Sequence, residues 1–433
     1  RPATAPEPNP GRSAPARPPL AEGPFHVMGI DARICANLPP LGLLVPTPIQ
    51  AAAIPAIVAG RDLLGLAQTG SGKTAAFSLP MLTRLLASGR RAAPKTVQAL
   101  ILAPTRELAT QIAASVDSHA EGTPIKAFRV VGGASLNAQA QRLARGVDVL
   151  IATPGRLIDL IERGDVDLSA TSYLVLDEAD QMLDIGFIHA LRRIARLLPK
   201  ERQTLLFSAT MPKLIEELAE TYLSDPVRVA VDPPGRPVAR IEQGVHFVNQ
   251  GDKATLLAEY LRAHTGDLSM VFARTKHGSD KLARLLEKWG FPVLAIHGNK
   301  SQGQRERALA SFRAGEVQVL VATDVAARGL DIPEVAHVYN YDLPNVPENY
   351  VHRIGRTARA GRAGRAVAFC APDEWEALAE IEKAIGAPIA IIGGEPPARR
   401  PAAQPRKPGA RPQGRRPPRR PSRRPRSEQR PGA

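Results

Sequence analysis

Ala67-Gln68-Thr69-Gly70-Ser71-Gly72-Lys73-Thr74 lies between a short apolar run, Asp62-Leu-Leu-Gly-Leu-Ala67, and a helix-compatible segment. Glycines let backbone N–H groups curl around phosphate oxygens with no side chain in the way. Lys73 supplies charge to the outer phosphates, the Thr74 hydroxyl suits a magnesium shell, and the next helix turns its N-terminus to the anion. A strand–loop–helix unit of this kind predicts an α/β sheet with ligands outside the carboxyl ends of its strands. The general pattern begins with Gly where this chain has Ala67, and the loop alone names only a nucleotide binder.

About a hundred residues on, Asp177-Glu178-Ala179-Asp180 follows the apolar run Tyr173-Leu-Val-Leu176. An acid at such a strand end can hold magnesium opposite Thr74, and its neighbour Glu178 can orient or deprotonate water. Further on, His352-Arg353-Ile354-Gly355-Arg356-Thr357-Ala358-Arg359 would alone read as a solvated basic face. Set against a nucleotide site, it offers arginine fingers that neutralise charge on the transferring phosphate.

Continuous apolar runs separated by helical patterns read as buried strands of a parallel sheet. Val97-Gln-Ala-Leu-Ile-Leu-Ala103 belongs to one such set, which is followed by the breaker Pro233-Pro-Gly-Arg-Pro237. A second set includes Met270-Val-Phe-Ala273, Val293-Leu-Ala-Ile296, Val317-Gln-Val-Leu-Val-Ala322 and Val367-Ala-Phe-Cys370. Two α/β domains joined by a short linker follow. Short-period repeats are not apparent.

The 433 residues carry a net charge of +15, unevenly spread. Residues 396–433 hold 13 basic side chains and one acid, Glu428, whereas the body from Phe25 to Glu395 is only +2. The tail holds 11 prolines and the first 24 residues hold 8, so both ends read as solvated chain unable to bury a core. The tail, with its Arg pairs, reads either as a solvated charged extension or as a salt-sensitive nucleic-acid tether. No apolar run reaches the roughly 18 residues of a membrane helix. Two cysteines, Cys35 and Cys370, cannot build a disulfide framework and read as packing thiols in a reducing compartment. Aromatics at 4% argue against a fold that works mainly by stacking bases. His246, His264 and His277 show no metal-ligand spacing with one another or with Cys.

Taken together, the motifs over 25–370 resemble the DEAD-box RNA helicases, nearest to the bacterial RhlE-type subgroup. Phe25 and Pro46-Thr47-Pro48-Ile49-Gln50 look like the family's adenine-recognising Q motif, in which Phe25 would pack on the base and Gln50 bond its edge. The family itself uses Ala at the first place of the phosphate loop, so Ala67 fits. By this resemblance Gln68, Thr69, Gly70, Ser71, Gly72, Lys73, Thr74 and Asp331 would hold ATP, the last through the ribose. Lys73, Asp177, Glu178, Arg356 and Arg359 would be catalytic, and Thr74 and Asp177 would hold Mg2+ largely through water.

Further motifs are similar in order and residues: Pro104-Thr-Arg-Glu-Leu-Ala109, Gly132-Gly133, Thr153-Pro-Gly-Arg156 and Ser208-Ala-Thr210 in the first half. Val271-Phe-Ala-Arg-Thr-Lys276, His297-Gly298 with Gln302 and Arg305, and Thr323-Asp324 running on to Asp331 stand in the second. The resemblance implies RNA contacts at Arg106, Gly133, Thr153, Arg156, Arg274, Gln302, Arg305 and Thr323. It implies coupling roles for Asp180, Ser208, Thr210 and His352. The chain departs from the family where Leu43 stands for a commoner aromatic, Pro39-Pro40 breaks a usually helical stretch, and Ala358 replaces a frequent Gly.

The fold implied is two tandem RecA-like parallel-sheet domains with disordered extensions. Its divisions are a leader at 1–22, the Q region at 23–51, domain 1 at 52–232, a linker at 233–240, domain 2 at 241–390 and a basic tail at 391–433. The activity implied is RNA-stimulated ATP hydrolysis coupled to local unwinding of short duplexes or RNP remodelling, in the bacterial cytoplasm. RNA would be met mostly through backbone contacts, in ribosomal or messenger complexes, with no membrane and no disulfide. A nucleotide-gated RNA clamp and a DNA helicase of the same architecture are the alternatives.

Overall fold

The computed structural model describes residues 23–68, 70–231, 241–327, 332, 335–358 and 363–396. The expected leader, the linker and most of the tail lie outside them, as do Thr69, Asp331 and Arg359.

The first apolar set forms seven strands: β1 (Leu63–Leu66), β2 (Val97–Leu102), β3 (Ala127–Val130), β4 (Val147–Ala152), β5 (Tyr173–Leu176), β6 (Gln203–Ser208) and β7 (Val227–Ala230). They pair in parallel in the order β3-β4-β2-β5-β6-β1-β7. All six residues of β2, β4 and β6 are buried, because helices cover both faces of a parallel sheet. Alternate residues of β2 feed different cores. Ala99 and Ile101 pack on one side with Phe77 and Ile112, and Leu100 and Leu102 pack on the other with Leu157 and Ile194.

The second set forms β8 (Ile241–Phe247), β9 (Ser269–Phe272), β10 (Val293–Ile296), β11 (Val319–Ala322), β12 (His337–Asn340), β13 (Gly364–Cys370) and β14 (Ala390–Gly393). Their order is β10-β11-β9-β12-β13-β8-β14, again all parallel. Shifted by seven, it is the order of the first sheet. Ala390–Gly393 is one strand paired with β8, straddling the expected division at 390/391, with the apolar pair Ile391-Ile392 making it strand-forming. Pro39-Pro40 gives a single 3-10 turn, Pro39–Leu41, where two rings without N–H groups leave no continuous helix.

Strand order places the chemistry. β5, β6 and β1 are neighbours, so the segment after β6 lies between the acids after β5 and the phosphate loop after β1.

A candidate nucleotide and RNA site

The phosphate loop opens the helix Lys73–Ser88, with Gly72 at its N-cap in the left-handed region (φ 94°). A Cβ there would lie 2.5 Å from Gln50 Nε2, so both conformation and space call for glycine. Lys73 is buried and donates to the Ala67 carbonyl at 3.0 Å, which holds the ammonium across its own loop.

The Q-region residues brace this loop. Thr47 Oγ1 donates to the Ser71 carbonyl (2.8 Å), and Gln50 Nε2 donates to the Gly72 carbonyl (3.1 Å). Gln50 Oε1 accepts from the Thr47 N–H (2.9 Å), and the side chain is 1% exposed. Both ends of its amide are therefore engaged within the protein, so a bond to an adenine edge requires one of these to exchange. Phe25 packs into the first core, among Ile30, Ile34 and Ile54.

Asp177, Glu178 and Asp180 are all buried at the end of β5. Glu178 has φ 51° and ψ 52°, a strained conformation for a non-glycine residue. Its N–H donates to Asp177 Oδ1 at 3.0 Å. Burial pushes the Asp177 carboxyl upward; Lys73 opposes this, and the charge of Glu178 adds to it. Asp180 goes the other way: its burial is outweighed by His352, Lys73 and Thr210, which hold it below its ordinary value.

The donors here suit a hard divalent cation such as Mg2+, since the Thr74 hydroxyl and Asp177 carboxylate offer only oxygen. Three buried carboxylates facing one lysine leave an excess of negative charge that such an ion would offset.

Asp180 is the meeting point of three motifs. Its Oδ2 accepts from the Ala209 N–H (3.1 Å), the Thr210 N–H (2.9 Å) and Thr210 Oγ1 (2.9 Å). Ser208 Oγ donates to the Thr210 carbonyl at 2.7 Å, fixing that turn. From the second half of the chain, His352 Nε2 comes within 3.7 Å of the same Oδ2. Arg356 lies just beyond, buried at the end of the helix Glu348–Ile354. Ala358, in the place of a frequent Gly, has φ 56°.

The expected RNA contacts divide. Arg106, Thr153, Arg156 and Arg305 line one cavity of about 330 Å³ together with Gly132. Gly133 has φ 81° and lies so close under the Arg106 guanidinium that any Cβ would collide with it. Arg156 donates to the Ala134 carbonyl (2.9 Å). Arg274, Gln302 and Thr323 do not line this cavity. Arg274 pairs with Glu374, and Gln302 Nε2 donates to Glu306 Oε1 (3.1 Å). The Thr323 N–H donates to the Ile296 carbonyl (3.4 Å).

Three partners went unmarked in the sequence. Glu107 Oε1 lies 3.1 Å from Arg305 Nη2, both side chains largely buried. Arg353 grips Asp324 through Nε (2.5 Å) and Nη2 (2.8 Å), donates to Asn340 Oδ1 (3.1 Å), and sits 5.0 Å over the Phe272 ring. Lys253, fully buried, meets Glu374 at 2.5 Å and the Tyr341 carbonyl at 2.8 Å. Cys35 and Cys370 are free thiols, pushed up by burial to about 11 and about 12. Among the described residues, no helix is long and apolar enough to cross a membrane.

The chain matches the DEAD/DEAH box helicase domain over residues 47–218 and the helicase conserved C-terminal domain over 252–361. It is 43% identical over 368 residues to RNA helicase CrhR of Synechocystis sp., covering 85% of this chain and 74% of that protein. The structure of S. cerevisiae Dbp5 bound to RNA and ADP BeF3 is 33% identical, with a TM-score of 0.76 over 86% of this chain and 96% of that one. Mss116p bound to ssRNA and AMP-PNP is 31% identical, with a TM-score of 0.78 over 86% and 79%. The chain therefore belongs to the DEAD-box helicases, enzymes that are RNA-dependent ATPases.

Proposed function

We propose that the chain is an ATP-dependent RNA helicase that couples hydrolysis to local separation of short duplexes, with the domain divisions given above except that domain 2 runs to Gly393. The Asp180 contacts carry this reading. One carboxylate bonds the turn after β6 and meets His352 from the second half, so a change at the nucleotide reaches both. That the similar Dbp5 and Mss116p structures hold RNA and nucleotide supports the same reading.

In this mechanism Lys73 and the loop N–H groups of residues 68–74 hold the phosphates, and Phe25, Gln50 and Asp331 select and hold adenine nucleoside. Glu178 orients the attacking water and takes its proton. Arg356 and Arg359 meet the charge that develops on the transferring phosphoryl group. Mg2+, held at Thr74 and Asp177, supplies further neutralisation of the phosphates when bound. Arg106, Gly133, Thr153, Arg156, Arg274, Gln302, Arg305 and Thr323 grip RNA through phosphate and sugar, so recognition is largely independent of sequence. Binding of RNA across both halves then favours closure and hydrolysis by linkage. Ribosomal or messenger RNA complexes in a bacterial cytoplasm are the setting that fits this chemistry, and the RhlE-type subgroup is the nearest in motif.

A strand-displacement assay on short RNA and DNA duplexes, with and without ATP, tests it. ATP-dependent release from RNA alone is expected. Nucleotide-dependent binding without release would make the protein a clamp, and release from DNA would make it a DNA helicase.

A further inference from the structure

The ends at which β9 and β12 begin lie away from the ends that carry Arg274 and the segment after Asn340. There His264 caps the helix Lys253–Ala263, Asp267 stands three residues on in the turn before β9, and His337 opens β12. One donor atom from each lies within 4.8 Å of the other two. His337 Nε2 is 2.9 Å from Asp267 Oδ2, and the two imidazole rings stack with centroids 4.1 Å apart.

His337 is buried, and its Nε2 is the nitrogen that faces Asp267, while its Nδ1 makes no hydrogen bond among the described residues. Two donors on one tetrahedral zinc, each about 2.0–2.1 Å from the metal, stand roughly 3.4 Å apart. The His337–Asp267 spacing is already close to that. His264, half-buried in a turn, must swing out of its stack on His337 so that both in-plane nitrogen lone pairs converge on one ion. A cleft of about 250 Å³, lined in part by His264, Asp267 and Ser269, leaves room for water at a fourth position. Ser269, registered against His337, has a buried hydroxyl that likewise makes no hydrogen bond among the described residues. Arg365 stands opposite His337 in the register and brings a positive charge near this cluster, with the exposed Glu242 3.8 Å from it.

We propose that His264, Asp267 and His337 form a binding site for a divalent first-row transition ion, zinc by the donor set, which ties the turn before β9 to β12. This site is separate from the magnesium chemistry of the nucleotide face.

The test titrates the full-length, chelator-stripped protein with ZnCl2 by calorimetry and with CoCl2 by visible absorption. One equivalent of zinc, the ligand-field bands of four-coordinate cobalt and a raised unfolding midpoint are expected. His264→Gln and Asp267→Asn, at half-buried and exposed positions, should each weaken zinc by about tenfold or more. Neither should change the metal-free unfolding midpoint or the RNA-stimulated ATPase. No saturable zinc binding, or zinc affinity that both variants leave unchanged, would overturn the site and leave a hydrogen-bonded His–Asp pair only.

Discussion

Glu107 and Arg305 form an ion pair of 3.1 Å that joins the two halves of the chain beside the cavity lined by Arg106 and Arg156. Both side chains are largely buried, and burial lowers the Arg305 pKa even though Glu107 opposes the shift. Removing the acid leaves a desolvated guanidinium without its counter-charge, at a cost of roughly 2–3 kcal/mol. Glu107→Gln should therefore raise the RNA concentration needed for half-maximal ATPase by roughly 30- to 150-fold. An unchanged RNA dependence would show that the pair does not contribute to closure.

Glu178 is held in a left-handed conformation with its N–H on Asp177. Glu178→Gln keeps the shape of the side chain and removes the carboxylate proposed to take the proton of the attacking water. Turnover should fall by about 10²–10⁴ while ATP binding survives. Single-turnover hydrolysis together with nucleotide-binding titration would separate the two, and wild-type turnover would remove Glu178 from its assigned role.

The His119 imidazole is buried against Ser78 at 2.9 Å, and burial lowers its pKa from 6.5 to about 4. The unfolded chain takes up that proton first as pH falls. This contribution to stability is thus intact above pH 6.5 and is lost progressively toward about 4, by about 3 kcal/mol at most. Urea titrations across this window should show the loss, and His119→Gln should flatten it.

Ala358 has φ 56°, a region that disfavours a Cβ. Ala358→Gly should stabilise the second half by about 0.5–1 kcal/mol, the relief of strain exceeding the entropy glycine adds to the unfolded chain. A lower denaturation midpoint would contradict this.

Cutting after Glu395 removes nearly all the excess positive charge. The salt dependence of RNA binding should become shallower by about 0.7 in log–log slope for each phosphate that the tail no longer neutralises. Basal ATPase should be unaffected, and an unchanged slope would reject the tether.

What the sequence disclosed and what it hid differ in range. The phosphate loop and the acids after β5 are local patterns, and their chemistry follows from spacing along a few residues. The pairing of Arg353 with Asp324, 29 residues away, depends on β11 and β12 flanking β9, which no local pattern encodes. His264 has Asp267 three residues on but no histidine near it in sequence, and it meets His337 only because β9 and β12 are adjacent. Gln50 is marked by its motif, yet its bond to the Gly72 carbonyl is a tertiary fact. The strand β14 escapes a sequence reading because its Ile391-Ile392 pair is short and borders the proline-rich tail.

The shared strand order makes the two sheets repeats of one layout. The correspondence extends to single positions. Thr105 and Thr275 each cap a helix three residues past β2 and β9, with side chains accepting from Leu108 and Gly278 N–H groups. Thr153 and Thr323 each directly follow β4 and β11. Lys73 opens the helix after β1, and Lys253 opens the helix after β8, but Lys253 is locked on Glu374 and the Tyr341 carbonyl. The second sheet thus repeats the layout of the first, with the lysine at the matching helix start committed to partners inside its own half.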